Sequence, residues 1–500
     1  MAEGRLAGWR GDALALAAGA LLPAAFAPLG LWPLAVAAPA VLWLTWLDVP
    51  PRRALWRGWL FGLGLFGVGV SWVFVAIHVY GHTPAPLAAV LTFLFIAFLA
   101  LFPAAQGWLS ARLAGDARRP AVLVLAWPAL WVLAEWSRGR FLTGFPWLHL
   151  GYSQTDSPLA GLAPVAGVYG VSLAVAVSAG LVLAVLAARG RPRLRAAGLA
   201  ALAALWLGAG LLGRMAWSEP AGDPIRVALV QGNVPQITKW QPGSVERRLR
   251  TYAALTREHW DADVVIWPEN SVTVFYHRLA EPFFAPLAAE ARAHGTELLV
   301  GLPVREPDGR YHSSFAHFDG GVHFYHKTHL VPFGEYVPLE RWLRGLIGFF
   351  DLPMSGFSPG PADQAPLTLR GHPVAVSICY EDAFGEELIR WLPRAALLVN
   401  GSNNAWYGDS LAPHQHLQIS RMRALETARP LLRVTTNGIS AITDARGRVL
   451  ARSPQFAAHV LRGEVRPHRG ATPYVRTGNA PVLALALLMV GAAAARRRLL

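Results

Sequence analysis

Three windows of this sequence each place a chemically reactive side chain directly after a short apolar run. Glu269 follows DVVIWP, Lys327 follows GVHFYH, and Cys379 follows VAVSI. Apolar, β-branched runs of this length predict buried strands, and we expect the three side chains to converge on one cleft at neighbouring strand ends. A carboxylate can take the thiol proton, an ammonium can stabilise an oxyanion, and a cysteine can carry an acyl group as a thioester. The combination predicts acyl-transfer chemistry.

Cys379 is the only cysteine in the 500 residues, which excludes intramolecular disulfides and cysteine-rich zinc sites. Beyond it, the spacing of Phe384, Leu388 and Trp391 predicts a helix, so the thiol would lie where a strand gives way to a turn and a helix. A helix N-terminus and a nearby lysine both favour the thiolate. The alternative for this window alone is a small buried core residue, which free cysteine often is.

Lysine is rare in this chain compared with arginine, and one of the lysines lies in the candidate site. The chain has two lysines, Lys239 and Lys327, against 43 arginines. Arginine keeps its proton and does not act as a compact point charge. The two lysines are therefore candidates for chemistry, with chance retention as the alternative for each.

The composition predicts membrane spans. Hydrophobic residues make up 54% of the chain and charged residues 15%, and the mean hydropathy is +0.34, a combination that is rare in soluble proteins. The net charge of +14 is nearly all arginine, much of it in short loops between apolar runs. This placement predicts a lipid bilayer and no nucleic acid as partner.

Eight apolar runs are candidate spans, seven before the region with the reactive residues and one after it, and several have the length that crosses a bilayer. They cover residues 13–28, 31–47, 59–80, 85–113, 121–136, 160–188, 196–212 and 480–495. A cleavable signal peptide is the alternative for the first.

Alternate loops between these runs are rich in arginine. The basic loops hold Arg5 and Arg10; Arg52, Arg53 and Arg57; Arg112, Arg118 and Arg119; Arg189, Arg191, Arg193 and Arg195; and Arg496, Arg497 and Arg498. The positive-inside rule then predicts cytoplasmic termini. Residues 223–473 would lie outside, which in a bacterium is the periplasm or the cell exterior. We therefore expect a membrane domain over residues 1–217, an outer domain over 223–473, and a last span with a basic tail over 480–500.

The outer region has ordinary globular composition, with a helical pattern at residues 280–294 and several strand-like runs. These runs cover residues 225–231, 263–267, 297–301, 314–318, 321–325, 374–378, 397–400, 432–435 and 440–443. The alternation predicts a layered α/β domain.

Glu269, Lys327 and Cys379, in this order and these contexts, resemble the Glu–Lys–Cys triad of the nitrilase, or carbon–nitrogen hydrolase, superfamily. A closer resemblance, to the apolipoprotein N-acyltransferase family, covers nearly the whole chain. It is carried by FPWLHLGYSQ (145–154), LVQGNVPQITKW (229–240), WPEN (267–270), KTHLVPFGEYVPLE (327–340), DLPMSGFSPG (351–360), ICYED (378–382), SNNAWYGDS (402–410), PHQHLQISRMRALETARPLLR (413–433) and TPYVRTGN (472–479).

The resemblance implies a nitrilase-like αββα sandwich inserted between transmembrane helices, at the inner membrane of a bacterium. Cys379 would attack the sn-1 acyl ester of a phospholipid, release a lysophospholipid and hold the acyl group as a thioester. The α-amine of diacylglyceryl-cysteine on an apolipoprotein would then take the acyl group. Glu269 would be the general base and Lys327 the oxyanion stabiliser, with no cofactor or metal.

The resemblance also implies supporting roles around the triad: a nearby carboxylate, pocket walls beside the nucleophile, a substrate-facing tryptophan and hydrogen-bonding amides. The residues at these positions are Glu335, Tyr380, Glu381, Trp240, Asn403 and Asn404. The chain departs from the family pattern at His312, where members often have asparagine, and this leaves any side-chain role there open.

Acyl-chain substrates require a thiol at the bilayer surface with water kept out. We therefore expect residues 341–357 to form a lid or membrane-dipping arm; a buried amphipathic helix with a loop is the alternative.

Two other functions are alternatives to acyl transfer. A membrane-anchored amidase or nitrilase would use the same triad on a small amide. A scaffold or transporter would need intramembrane charges, and Glu135 is the main candidate. His414 and His416 could suggest a metal, but polar packing is the preferred interpretation.

Overall fold

The computed structural model describes residues 8–114, 120–239, 242–338 and 356–498. The chain divides into two compact units. The first comprises Met1–Phe74, Ala85–Ala216 and Arg476–Leu500, and the second Val75–Pro84 and Trp217–Val475. Trp240 and residues 341–355 of the predicted lid lie outside the described residues.

The first unit is helical. Its main helices are Trp9–Leu21, Leu34–Trp46, Pro51–Gly69, Ala85–Leu99, Leu101–Ala114, Trp127–Arg138, Ala163–Ala187, Pro192–Leu212 and Ala480–Arg498. Glycines allow the helix Pro51–Gly69 to pack very closely on its neighbours. A Cβ added at Gly58 would lie 2.2 Å from the carbonyl oxygen of Pro103, and one at Gly64 would lie 2.3 Å from that of Leu16. Such small-residue contacts are typical of helix packing in membranes.

Three helices in the described part of the chain are long and apolar enough to cross a membrane: Ala85–Leu113, Pro158–Ala187 and Pro192–Leu212. A fourth span results if Pro51–Gly69 and Trp72–Tyr80 are counted together as one broken helix. Leu34–Trp46 and Ala480–Ala495 are apolar but shorter. The 13 residues of Leu34–Trp46 extend about 20 Å at the rise of an α-helix, less than the roughly 30 Å of a bilayer core. The count of eight spans is therefore not confirmed.

Glu135, the intramembrane charge considered for a transporter, braces the loop that follows its own helix. Its Oε1 accepts hydrogen bonds from Trp131 Nε1 at 2.9 Å and from the backbone N–H of Leu150 at 2.7 Å. Arg138 supports the same loop by donating to the carbonyl of Phe145 at 2.8 Å. The aromatic segment that begins at Phe141 is thus a loop of defined shape.

The described residues of the second unit form fourteen strands. They are β1 (Glu219–Pro220), β2 (Ile225–Gln231), β3 (Val264–Ile266), β4 (Glu297–Arg305), β5 (Tyr311–Phe318), β6 (Val322–His326), β7 (Leu367–Leu369), β8 (His372–Ile378), β9 (Leu397–Ser402), β10 (Leu431–Thr435), β11 (Ala441–Thr443), β12 (Val449–Arg452), β13 (His459–Val465) and β14 (His468–Arg469). The longer helices of this unit are Val245–Arg257, Ala285–Ala293 and Ala412–Thr427. Short helices lie at Gln236–Lys239, Tyr276–Leu279, Gly385–Leu388 and Pro473–Thr477.

Twelve of the strands form two six-stranded sheets with related topology. One sheet has the order β13-β2-β3-β4-β5-β6 and the other β12-β11-β10-β9-β8-β7; β1 pairs with β14. The central strands β2, β3 and β4 are parallel, as are β8, β9 and β10, whereas the outer pairs are antiparallel. The residues that directly follow β3, β8 and β9 therefore lie at the carboxyl-end edges of the sheets, where parallel sheets commonly bind ligands.

Side chains alternate between the faces of each strand, and this alternation builds three layers of contact. Val227 and Ile266 of the first sheet share one core with Val376 and Val399 of the second, so the two sheets pack face to face. On the outer face of the first sheet, Val265 and its neighbours pack with Leu249 and Leu287, one from each of two helices. Leu417 of helix Ala412–Thr427 packs against Ile439 and Ala441 beside the second sheet. The predicted layered α/β domain is confirmed.

Candidate active site

Cys379 lies immediately beyond β8 in a backbone conformation that is unusual for its residue type. Its φ is 53°, in the left-handed region that side chains with a Cβ seldom adopt. The carbonyl of Cys379 accepts a hydrogen bond from Asn400 Nδ2 at 3.2 Å, and His416 Nε2 lies 3.2 Å from the same oxygen. These contacts hold the strained turn, and strain of this kind is common at functional sites.

The helix predicted after Cys379 is shorter than expected. Residues Cys379–Ala383 form a 3₁₀ turn, and the α-helix Gly385–Leu388 has only four residues. Phe384, which follows the turn, has φ −106° and ψ 83°, so it breaks the helical path between the two segments. The prediction that a helix N-terminus stabilises the thiolate is therefore wrong.

Lys327 joins two buried carboxylates just beyond β6. Its Nζ donates hydrogen bonds to Glu269 Oε1 at 3.2 Å and to Glu335 Oε1 at 2.7 Å. Lys327 is fully buried, and the carboxylates are at most 5% exposed. Burial alone lowers the pKa of Lys327, but Glu269 and Glu335 more than offset this effect and raise the pKa well above its usual value. The two carboxylates therefore favour the charged ammonium of Lys327.

Glu269 is held at both carboxylate oxygens. While Oε1 accepts from Lys327, Oε2 accepts the backbone N–H of Asn403 at 2.8 Å. The turn that carries Glu269 passes very close to β4, since a Cβ added at Gly301 would lie 2.2 Å from the carbonyl oxygen of Pro268. Only glycine allows this approach, which fixes the position of the carboxylate.

The surroundings of Cys379 favour its protonated thiol. Burial raises its pKa, the Glu269 charge raises it further, and Lys327 lowers it only in part. Lys327 thus favours the thiolate, as expected, but burial and the charge of Glu269 outweigh its effect on the pKa. A buried thiol beside a carboxylate instead needs a base at the moment of attack.

Glu381 connects the turn that carries Lys327 to the turn that carries Cys379. Its carboxylate accepts the backbone N–H groups of Thr328 at 2.6 Å and of Ile378 at 2.7 Å, and the hydroxyl of Tyr325 at 3.0 Å. Because all these partners are protein groups, Glu381 positions the site. Tyr380 is buried next to it, with its ring centroid 5.1 Å from that of Phe384 and 5.8 Å from that of His329.

Asn403 and Asn404 are adjacent, but they serve different parts of the site. Asn403 contacts Glu269 through its backbone and donates from Nδ2 to Gln236 Oε1 at 3.0 Å. Asn404 accepts from Arg433 Nη2 at 3.0 Å, and its Nδ2 lies 3.1 Å from His416 Nδ1. Asn403 thus supports Glu269, whereas Asn404 belongs to a network behind Cys379.

This network centres on Asp382, which sequence reasoning did not single out. Asp382 Oδ1 lies 2.8 Å from His416 Nε2, and Oδ2 accepts from Arg433 Nη1 at 3.3 Å and from the hydroxyl of Ser420. Arg433 also donates to Asn400 Oδ1 at 2.5 Å. The His416 side chain is buried in polar packing, as we expected. Arg433 lies at the end of the 413–433 motif, but as one of 43 arginines it was not singled out.

Lys239, a candidate because lysine is rare in this chain, lies beside Glu269. It is fully buried, and its Nζ donates to the backbone carbonyl of Glu269 at 3.4 Å. His312, the departure from the family pattern, is also buried and donates from Nδ1 to the carbonyl of Ser358 at 2.8 Å. The position of Trp240 relative to these groups lies outside the described residues.

Comparison with known proteins covers both halves of the chain. Residues 18–181 match the model of the apolipoprotein N-acyltransferase N-terminal domain, and residues 226–474 match that of carbon–nitrogen hydrolases. The apolipoprotein N-acyltransferase of Methylococcus capsulatus is 48% identical over 97% of this chain and 96% of its own length. That of Azotobacter vinelandii is 46% identical over 98% and 96%. The chain belongs to the apolipoprotein N-acyltransferase family.

Membership in the apolipoprotein N-acyltransferase family confirms an acyltransferase of lipoprotein N-acylation with a nitrilase-like domain. With its long apolar helices, it is a membrane protein. Among solved structures, a carbon–nitrogen hydrolase from Helicobacter pylori aligns with 49% of this chain and 89% of its own, at 19% identity and a TM-score of 0.38. That likeness carries no part of the assignment.

Proposed function

We propose that this acyltransferase moves the sn-1 acyl chain of a phospholipid, through a thioester on Cys379, to the α-amine of diacylglyceryl-cysteine on apolipoproteins. The observation that carries the mechanism is the buried Glu269–Lys327 pair, joined at 3.2 Å and close enough to shift the pKa of Cys379. A base, a fixed cation and a lone thiol are the groups that acyl transfer through a thioester needs.

In the first half-reaction Glu269 takes the proton of the Cys379 thiol as sulfur attacks the ester carbonyl. The Lys327 ammonium stabilises the negative charge that develops on the carbonyl oxygen. The proton on Glu269 then passes to the glyceryl oxygen as the carbon–oxygen bond breaks. A lysophospholipid leaves, and the acyl group remains as a thioester. The raised pKa of the thiol favours this route, since the thiolate forms only when Glu269 accepts the proton.

In the second half-reaction the acceptor amine attacks the thioester. Glu269 takes a proton from the attacking nitrogen and gives it to sulfur as the carbon–sulfur bond breaks, which yields the amide and the free thiol. Glu335 keeps Lys327 charged and in place throughout, through their 2.7 Å contact. Tyr380, Glu381, Asn403 and Asn404 support these groups, and Trp240 faces the substrate.

We further propose a multi-pass protein of the bacterial inner membrane with about eight spans and cytoplasmic termini. Residues 1–217 form the membrane domain, 223–473 the periplasmic catalytic domain, and 480–500 the last span and basic tail. Support comes from the alternation of arginine-rich and arginine-poor loops. This placement brings the thiol to the outer leaflet, where both acylated substrates lie.

Product analysis tests the proposal. The purified enzyme is incubated with a phospholipid labelled in its sn-1 chain and a diacylglyceryl-cysteinyl peptide. We expect the label in an amide at the peptide N-terminus, together with one lysophospholipid per transfer. Label found only as free fatty acid, at an unchanged rate without peptide, would overturn acyl transfer and favour a membrane-anchored amidase or related hydrolase that uses water.

A further inference from the structure

Lys239 lies beside the base but has a different environment from Lys327. Its Nζ meets the backbone carbonyl of Glu269 at 3.4 Å, whereas Lys327 lies between two carboxylates. Among the described residues, this long contact is the one hydrogen bond that the Lys239 Nζ makes. Burying an amine with a single weak hydrogen-bond partner costs free energy of folding. This cost indicates that Lys239 has a role other than packing.

The short helix Gln236–Lys239 is fastened to the catalytic turn at several points. Arg248 Nη1 donates to the backbone carbonyl of Lys239 at 2.6 Å. Gln236 accepts from Asn403, whose own backbone N–H binds Glu269. The amine is thus fixed relative to the base and not carried on a free surface side chain.

The two lysines differ in their readiness to lose a proton. Burial lowers the pKa of Lys239 to about 7; Arg248 lowers it too, while Glu269 and Cys379 raise it. Lys327, held by Glu269 and Glu335, has its pKa raised instead. When the pKa values of two neighbouring titratable groups are shifted in opposite directions, one group can exchange protons while the other stabilises charge.

The chemistry of the second half-reaction requires one more base than the first. An α-amine with a pKa of about 7.7–8.0 arrives mostly as an ammonium, which has no lone pair for attack. It must lose one proton to become a nucleophile and a second when the amide forms. Glu269 can pass one of these to the departing sulfur, so the other proton needs a different acceptor.

We propose that Lys239 is this second base: its uncharged amine takes the first proton from the acceptor ammonium, and Glu269 handles the second. This rests on the proposed thioester route. The balance is complete, because ammonium plus thioester gives amide, thiol and one proton. Lys239 releases that proton to water before the next turnover. The acceptor can therefore enter the site as a primary ammonium, and it becomes a nucleophile only after it is bound in the cleft, away from water.

The test separates the half-reactions and varies the acceptor. Lys239→Met removes the base, and Lys239→Arg keeps a charge that gives up no proton. Acyl-enzyme formation from phospholipid is followed by intact mass. Transfer is followed with the diacylglyceryl-cysteinyl peptide and with hydroxylamine, which is already largely uncharged at neutral pH. Melting temperature and acylation in the same preparations control for folding.

We expect both variants to form the acyl-enzyme at close to the unsubstituted rate and to transfer to hydroxylamine normally. Transfer to the peptide should fall about 10-fold at neutral pH, because only about a tenth of an amine with a pKa of about 7.7–8.0 is uncharged at pH 7, and should recover as pH rises through the pKa of the peptide amine. Equal loss with both acceptors, loss of acylation in both variants, full peptide transfer by Lys239→Arg, or an unshifted pH profile would each overturn the role. An unsubstituted enzyme that forms no acyl-enzyme would instead overturn the proposed function, and this inference with it.

Discussion

Glu381 accepts the backbone N–H of Thr328 at 2.6 Å, although the two residues are 53 positions apart in the chain. Thr328 directly follows Lys327, and Glu381 lies two residues after Cys379, so one carboxylate links the turn that carries the ammonium to the turn that carries the thiol. The family resemblance placed Glu381 at the pocket wall; its contacts make it the brace between two catalytic turns.

Glu381→Gln should slow acyl-enzyme formation and destabilise the fold. Glutamine has one oxygen where the carboxylate has two, and its NH₂ group would face a backbone N–H. One buried donor is left unsatisfied, which costs about 1–3 kcal/mol. The rate of thioester formation and the melting temperature of the whole protein measure the two effects. Glu246→Gln, at an exposed glutamate in a 3.7 Å surface pair with Arg250, is the matched control. Equal rates of thioester formation and equal melting temperatures in the two variants would contradict the role of Glu381 in holding the two turns together.

Lys327→Met should abolish thioester formation and also lower stability. Removing the cation leaves Glu269 and Glu335 buried as neighbouring carboxylates, and breaking a buried pair in this way costs about 3–5 kcal/mol. Thermal unfolding and acyl-enzyme mass are the measurements. The double variant Lys327→Met/Glu335→Gln should regain part of the stability, because one uncompensated charge is gone, and none of the activity. Recovery of thioester formation in the double variant would show that the cation is not needed for chemistry.

Asp382 should contribute stability that depends on pH. Burial alone would raise its pKa, but His416 and Arg433 more than offset this and lower it. A carboxyl group whose pKa is lower in the folded state stabilises the fold above the unfolded value of about 3.9, and loses that contribution as pH falls through the folded value. Asp382→Asn should therefore cost most stability at neutral pH, and the gap to the unsubstituted protein should narrow below about pH 4.

Melting temperatures at a series of pH values check this expectation. Asp308→Asn, at an exposed carboxylate that pairs with Arg310 at 2.6 Å, is the control and should change little, since surface pairs contribute about 0–1 kcal/mol. A constant gap between Asp382→Asn and the unsubstituted protein from neutral to acidic pH would contradict the assigned charge network.

Local patterns predicted the elements that carry the triad. The runs before Glu269, Lys327 and Cys379 are β3, β6 and β8. Apolar residues of β3 and β8 fill the core between the sheets, to which β6 contributes Tyr325. The edge strands β7, β12 and β13 were not predicted. β12 has the short sequence VLAR, and its Leu450 is exposed, so the run is too short to predict a strand, which forms by pairing with β11.

The remaining features depend on contacts that no local window contains. Asp382 and Arg433 are 51 positions apart, and Gln236 and Asn403 are 167 apart. Each such residue reads locally as an ordinary polar position. Lys239 had a compositional signal, because lysine is rare in this chain, but its burial beside Glu269 is a property of the fold alone.

The most direct test of the account is the intact mass of the enzyme after incubation with a phospholipid of one defined acyl chain and no acceptor. We predict a gain of one acyl group, located on the peptide that contains Cys379, which disappears when the diacylglyceryl-cysteinyl peptide is added. Cys379→Ala should show neither the gain nor any transfer. Acyl transfer by Cys379→Ala, or transfer by the unsubstituted enzyme with no acyl group on Cys379, would contradict the thioester mechanism.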